Sequence, residues 1–152
     1  MNLRKTFMLC SVCLIFLTSV AGRSFTFTQS SAPPLPVLVL RSQEPFEANG
    51  KALTRYRYFV YNSAAFPNEL FAAAPNLPPC GSNTKASRTW VDFYDSRGKR
   101  LNGFCALAKS SDLNTIWFAL EQDVVPPSYV YIELTDRQTN TKYKSNLADT
   151  TE

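Results

Sequence analysis

Segments in which apolar and polar residues alternate constrain the fold of this chain more than any other feature of its sequence. In LTRYRYFVYN (53–62), Tyr56, Tyr58 and Val60 occupy alternate positions, and the other set of alternate positions carries Arg55, Arg57 and Phe59. Successive side chains of a β-strand point to opposite sides of a sheet, so this segment predicts a strand with one uncharged face. We expect that uncharged face to be buried.

Three further segments alternate in the same way: RTWVDFYD (88–95), LNTIWFAL (113–120) and YVYIELTD (129–136). Aromatic and β-branched residues dominate them, as in half-buried strands. Shorter strand-like stretches occur at 37–40, 100–108 and 141–146. The apolar positions that we expect to face the core are Val91, Phe93, Ile116, Phe118, Leu120, Val130, Ile132 and Leu134.

Turn signals separate these segments. Asn49-Gly50 predicts a two-residue type I′ turn, because both central residues of that turn need positive φ. Gly98 predicts a left-handed residue in a second short turn, and RQTN (137–140) predicts a third. About seven short strands with almost no helical periodicity predict an all-β fold, an antiparallel β-sandwich over residues 37–146.

The first 21 residues have the three parts of a secretory signal peptide. Arg4 and Lys5 form a basic region, residues 7–18 are apolar, and Ser19-Val20-Ala21 supplies the small residues of a cleavage site. The alternative is an uncleaved membrane anchor, but the apolar run is shorter than the roughly 20 residues of a spanning helix. We therefore expect an exported protein, periplasmic or secreted, with no stable membrane span after cleavage. The polar, proline-containing residues 22–36 predict a flexible leader, and residues 147–152 a frayed tail.

Two cysteines, Cys80 and Cys105, remain after the signal peptide is removed. In an oxidising compartment an even number of cysteines favours a disulfide, which we predict between these two. A catalytic cysteine normally needs a histidine base, and the chain contains no histidine. A zinc site needs about four ligands, for which two distant cysteines are a poor start.

Charge and motifs argue against catalysis and against nucleic-acid binding. Removal of the signal peptide lowers the formal net charge from +4 to +2, too little for a nucleic-acid-binding surface. The five glycines form no phosphate-binding motif, and the chain lacks the acidic spacing of a calcium loop. Asp92 and Asp95 are three positions apart on a strand, so they point to opposite faces and do not converge as an acid–base pair. We therefore expect no metal, no cofactor and no enzymatic activity.

A segment of 25 residues without a strand pattern, residues 63–87, interrupts the β-rich sequence. Pro67 and the following NELFAAA predict a short helical turn, and the predicted disulfide fixes the segment to the chain near Cys105. Two interpretations of its apolar residues Phe66, Leu70, Phe71 and Leu77 stay open. They form either an exposed contact patch or a lid over one open end of the sandwich.

The strand order and the closing segment 129–146 resemble the immunoglobulin and fibronectin type III-like sandwich modules of small exported proteins. The resemblance covers residues 35–146 and implies a two-sheet architecture, but no particular activity. Immunoglobulin domains join their two sheets through widely spaced cysteines. Here Cys80 and Cys105 are only 25 positions apart, so their bridge pins a long loop to a neighbouring strand instead.

Three aromatic residues, Trp90, Tyr94 and Trp117, lie opposite the positions assigned to the core. They are either exposed on a binding face or covered by the long loop. The leading hypothesis is a non-catalytic module that binds a protein partner through the 63–87 loop and this aromatic face. The alternative is a glycan-binding or cell-wall-binding module in which Trp90, Tyr94 and Trp117 stack on sugars.

Overall fold

The computed structural model describes residues 33–80 and 86–151. The predicted signal peptide and the first part of the predicted leader, residues 22–32, lie outside the described residues. Within the described ranges no helix is long and apolar enough to cross a membrane. The described strands are β1 (Leu38–Ala48), β2 (Lys51–Val60), β3 (Thr89–Asp95), β4 (Arg100–Phe104), β5 (Ile116–Glu121), β6 (Tyr129–Asp136), β7 (Thr141–Lys144) and β8 (Ala148–Asp149).

The strands form two antiparallel sheets, which confirms the predicted β-sandwich. One sheet has three strands in the order β1-β2-β5. The other has five, in the order β4-β3-β6-β7, with β8 also paired to β6. In the letters used for immunoglobulin-like sandwiches this is an ABE sheet on a C′CFG sheet, and the predicted hairpin β6–β7 supplies strands F and G.

The core lies between the sheets, on the faces that the alternation predicted. Tyr58, Phe93 and Phe118 are fully buried at its centre. The ring of Tyr58 lies 5.4 Å from that of Phe93 and 5.9 Å from that of Phe118, centroid to centroid. The Tyr58 hydroxyl donates a hydrogen bond of 3.0 Å to the Asp149 carbonyl, and burial raises the pKa of Tyr58. The buried phenol therefore keeps a hydrogen-bond partner, as such groups require.

Three turns contain residues with positive φ. Asn49 and Gly50 have φ values of 54° and 71°, and Gly98 has 84°, which confirms the two predicted left-handed turns. Asn140, with φ of 56°, is a fourth left-handed residue among those described and lies in the predicted turn before β7. Strand β1 is longer than predicted and continues to Ala48, because its polar second half pairs with the first half of β2.

Both ends of the domain are more ordered than the sequence suggested. The prediction of a frayed tail is wrong, because Ala148–Asp149 pairs with β6 and Thr150 is buried. The tail is polar, so the sequence has no apolar pattern there that would indicate order. Hydrogen bonds hold it in place, including one of 3.2 Å from the Thr150 N–H to the Ser128 carbonyl. The flexible leader also ends earlier than predicted. Pro36 is buried, and the Leu35 carbonyl accepts a hydrogen bond of 2.9 Å from Asn62.

Two asparagines connect the sheets along their edges. Asn146 accepts a hydrogen bond of 2.7 Å from the Leu38 N–H and donates one of 3.1 Å to the Leu38 carbonyl. Its side-chain amide therefore pairs with the Leu38 backbone as the backbone of a neighbouring strand would. On the other edge, Asn102 donates a hydrogen bond of 2.8 Å to the Trp117 carbonyl. Backbone groups that an open sheet edge would leave unpaired are thus partly satisfied.

Candidate binding surfaces

The long loop closes one end of the sandwich. It contains two 3₁₀ turns, Ser63–Ala65 and Asn68–Phe71, the second of which follows Pro67 as predicted. Phe66, Leu70 and Phe71 are 2%, 8% and 0% exposed and belong to the core. The interpretation of these three residues as an exposed contact patch is therefore wrong. They cover core residues that the two sheets alone would leave open to water, which is the lid interpretation.

A disulfide fixes this loop, as the sequence predicted. Cys80 and Cys105 are bonded, with their Cα atoms 6.1 Å apart, and Cys105 directly follows β4. The Ser87 N–H donates a hydrogen bond of 2.8 Å to the Cys105 carbonyl, so the end of the loop is bound to the same residue. The bridge therefore pins the loop to the end of a neighbouring strand.

A partly buried ion pair at the end of the loop joins Arg88 to the five-stranded sheet. The Arg88 guanidinium contacts both oxygens of Asp136, at 2.8 and 2.6 Å, in the two-pronged geometry that carboxylates favour. Asp136 also accepts hydrogen bonds from the Gln138 N–H at 3.0 Å and the Thr139 hydroxyl at 2.8 Å. The Arg88 guanidinium and these further donors hold the pKa of Asp136 at about 2, although burial acts in the opposite direction.

The outward side of the five-stranded sheet carries a cluster of aromatic and charged residues, which we call the tyrosine face. Its members are Trp90, Asp92, Tyr94, Arg100, Tyr131, Glu133, Arg137, Lys142 and Lys144. These side chains stand on strands, or next to their ends, so the sheet backbone sets the spacing between them. The face combines four cations with two carboxylates and three aromatic rings.

Two tyrosines form the centre of the tyrosine face. Tyr94 and Tyr131 are directly opposite each other on β3 and β6, and their rings stack at 5.3 Å with an angle of 18° between the planes. The Lys144 Nζ lies 3.9 Å from the centre of the Tyr131 ring, a cation–π distance. Burial raises the pKa of Tyr94, with smaller contributions from the carboxylates of Asp92 and Glu133.

Charged residues form a row across the same face. Asp92 and Glu133 are paired directly across β3 and β6, an arrangement of like charges that is unfavourable on its own. A cation neutralises each of them: Arg100 contacts Asp92 at 2.7 Å, and Lys142 contacts Glu133 at 2.8 Å. The Arg100 side chain crosses Gly103, where an added Cβ would lie 2.0 Å from its Nη2 atom. Glycine at this position therefore leaves the space that the Arg100 side chain occupies.

Trp90 borders the tyrosine face on the side of the long loop. The Arg137 guanidinium lies 3.9 Å from the centre of its ring and covers that side of the indole. The indole Nε1 is buried and donates no hydrogen bond within the part of the chain that the structure describes. Trp90 is therefore partly covered, and the Arg137 side chain supplies part of that cover.

Trp117 does not belong to this face. It stands on β5 in the other sheet, where its ring lies 5.7 Å from Phe46 and 6.3 Å from Phe104. The three aromatic residues that were predicted to stack on sugars therefore occupy two separate surfaces. Trp90 and Tyr94 share the tyrosine face, and the prediction that Trp117 lies beside them is wrong. The sequence did not identify Tyr131 as their partner, although its outward position followed from the alternation.

A shallow hollow of about 330 Å³ lies between the long loop and the start of the tyrosine face. Its walls are mainly small apolar residues of the loop, with Arg88 on the side of the sheet. The complete lining is Glu69, Ala72, Ala73, Ala74, Pro75, Asn76, Leu77, Arg88 and Gln138. The loop thus contributes accessible surface, including the half-buried Leu77, although Phe66, Leu70 and Phe71 are buried.

Asp92 and Asp95, the two carboxylates considered from the sequence, each bind other groups of the described residues. Asp95 lies in the turn after β3, where its Oδ1 accepts hydrogen bonds from the N–H groups of Arg97 and Lys99 at 2.9 and 2.8 Å. Asp92 lies on the tyrosine face and is paired with Arg100. Within residues 33–80 and 86–151, no group of three or more histidine, cysteine or acidic residues is positioned to hold a metal ion.

No family model, curated protein or solved structure matches this chain. The sandwich class follows from the strand order alone, and a fold of this class is compatible with many functions. The function therefore has to be inferred from the geometry of the surfaces.

Proposed function

We propose that this protein is an exported, non-catalytic binding module, and that it binds a protein partner through the tyrosine face and the adjoining hollow. Two features support export. The chain begins with the three-part pattern of a signal peptide, and Cys80 and Cys105 form a disulfide, a bond typical of oxidising compartments.

The observation that carries the proposal is the preformed contact between rings and cations on the tyrosine face. Tyrosine, tryptophan and arginine are the residues most enriched among the energetically dominant positions of protein interfaces. Here Trp90 already contacts Arg137, and Tyr131 already contacts both Tyr94 and Lys144. Because strands position these side chains, less conformational freedom is lost on binding than for side chains on a loop.

The charges of the face indicate the chemistry of the partner. Lys142 and Lys144 are exposed, and the four cations of the face exceed its two carboxylates. A partner surface rich in carboxylates or other hydrogen-bond acceptors would complement this surplus, and complementary charge raises the rate of association. The hollow next to Trp90 would accept one small apolar side chain of that partner.

A protein fits this surface better than a sugar chain does. A sugar stacks on the exposed face of an aromatic ring, whereas the Arg137 guanidinium already lies 3.9 Å from the centre of the Trp90 ring. The tyrosine rings stack on each other, and Trp117 stands on the other sheet. Glycan binding by the three predicted aromatics together would need rings on one common surface.

Site-specific cross-linking in the native compartment tests the proposal. A photoreactive amino acid replaces Lys144 on the tyrosine face in one variant and Lys51, an exposed lysine of the other sheet, in the matched control. The proposal predicts a discrete protein adduct from position 144 and none from position 51. Adducts of equal yield from both positions, or from neither, would refute it.

A further inference from the structure

A second cleft lies at the end of the sandwich opposite the long loop. Strand β3 begins at Thr89, next to the loop, and ends at Asp95, which lines this cleft. Seven strand residues span roughly 20 Å, so the cleft is separate from the hollow beside Trp90. Its volume is about 490 Å³, within the usual range of small-ligand sites and equal to about sixteen liquid water molecules.

Hydrogen bonds fix both walls of the cleft. One wall is the β3–β4 turn, where Asp95 accepts two backbone hydrogen bonds and the Ser96 N–H donates one of 3.1 Å to the Tyr129 carbonyl. The other wall is the segment 122–128, whose end is bound through Ser128 to the N–H of Thr150. Pro126 and Pro127 restrict the backbone of that segment further. The cleft is therefore largely formed before any ligand arrives.

The second wall exposes apolar surface to water. Val124, Val125 and Tyr129 are 46%, 88% and 46% exposed, and the interior side of the cleft is formed by Leu101 and Leu120. Two adjacent exposed valines followed by two prolines form a continuous apolar surface. A contiguous exposed apolar surface commonly marks a binding site.

The facing wall supplies positive charge. Arg97 and Lys99 line the cleft, are exposed, and form no ion pair with any residue in the part of the chain that the structure describes. The carboxylate on this wall, Asp95, is occupied by the backbone N–H groups of the same two residues. Two side-chain cations thus face an apolar wall across the cleft.

We infer that this cleft binds a small amphipathic anion, with its carboxylate at Arg97 and Lys99 and its apolar body against Val124, Val125 and Tyr129. A carboxylate matches the two cations, and Val124, Val125, Pro126 and Pro127 offer the body of the ligand apolar surface with no side-chain hydrogen-bond donor. This inference is independent of the tyrosine face, which lies on the outer side of the sheet.

A titration with three ligands of equal chain length tests the inference. Octanoate, octanol and octylamine are added separately to the disulfide-bonded protein, and binding is followed by the NMR shifts of the Val124, Val125 and Tyr129 amides. We expect saturable shifts with octanoate, weaker binding of octanol and no saturation with octylamine. Equal affinity for the three ligands, or no saturation with octanoate, would overturn the inference.

Two variants and a matched control locate the site. Arg97→Gln and Lys99→Gln should each weaken octanoate binding about two- to fivefold, the range of exposed ion pairs. Lys109→Gln, which removes an exposed lysine that does not line the cleft, should leave the affinity unchanged. Because these side chains are exposed, the variants keep the fold, and an unchanged melting temperature verifies this. Unaltered affinity in both cleft variants would place octanoate elsewhere and contradict the assignment.

Discussion

Replacement of Asp136 by asparagine should destabilise the domain at neutral pH. It should also remove the part of the pH dependence of folding stability that comes from protonation of this carboxylate. Asp136 is 2% exposed and joins β6 to Arg88, the residue that connects the long loop to β3. The Asp136→Asn variant keeps the size of the side chain but loses its charge. The charged, two-pronged contact with Arg88 is lost with it.

The size of the effect follows from the pKa of the carboxyl group. The folded protein holds the pKa of Asp136 at about 2, against an ordinary value of 3.8. This difference corresponds to about 2 kcal/mol of folding free energy. Because the folded-state pKa is the lower one, this stabilisation is fully present above about pH 5 and is lost as the pH falls through 4 toward 2.

Urea denaturation of the wild-type and variant proteins between pH 7 and pH 2.5 measures both effects. At pH 7 we expect Asp136→Asn to lower the unfolding free energy by about 2 kcal/mol, with a melting temperature about 6 °C lower. The difference between the two proteins should shrink as the pH falls below 4. The control Glu121→Gln, which alters the exposed pair with Lys51, should produce no measurable change at pH 7. A stability difference that is the same at pH 7 and pH 2.5 would refute the ion-pair argument.

Three further predictions concern the loop and the first hairpin. Serine at both Cys80 and Cys105 should lower the unfolding free energy by about 3.5 kcal/mol, the loop-closure entropy of their 25-residue separation, in urea denaturation; an unchanged midpoint would contradict this. Phe71→Ala should cost about 3 to 5 kcal/mol because Phe71 is fully buried, whereas Tyr61→Ala, at a residue 77% exposed, should cost almost nothing in the same assay. Gly50→Ala should lower thermal stability by about 1 kcal/mol, because φ is 71° there; stabilisation would show that the turn does not need glycine.

The buried face of each strand could be predicted because alternation is local information. Tyr58, Phe93 and Phe118 are fully buried where the period of two predicted them, and Asn49-Gly50 forms the turn that its sequence favours. The disulfide was also predictable, since only two cysteines follow the signal-peptide pattern. These features depend on residue type and on short spacings, not on which strands become neighbours.

The composition of the surfaces could not be predicted, because it depends on strand pairing. Trp90 and Trp117 both point away from the core, but the assignment of β3 and β5 to different sheets separates them. The stacking of Tyr94 on Tyr131 follows from the register of β3 against β6, which the sequence does not specify. The ordered tail was missed for a related reason, since Thr150 is held by hydrogen bonds to residues more than twenty positions away.

Lysine footprinting tests the role of the tyrosine face most directly. The protein is acetylated with a lysine-reactive ester in its native compartment and again after purification, and the modification at each lysine is quantified by mass spectrometry. We predict that Lys142 and Lys144 react less in the native compartment than in the purified protein, whereas Lys51 and Lys109 react equally in both. Equal reactivity of Lys142 and Lys144 in the two samples would show that nothing covers this face, and would contradict the proposed function.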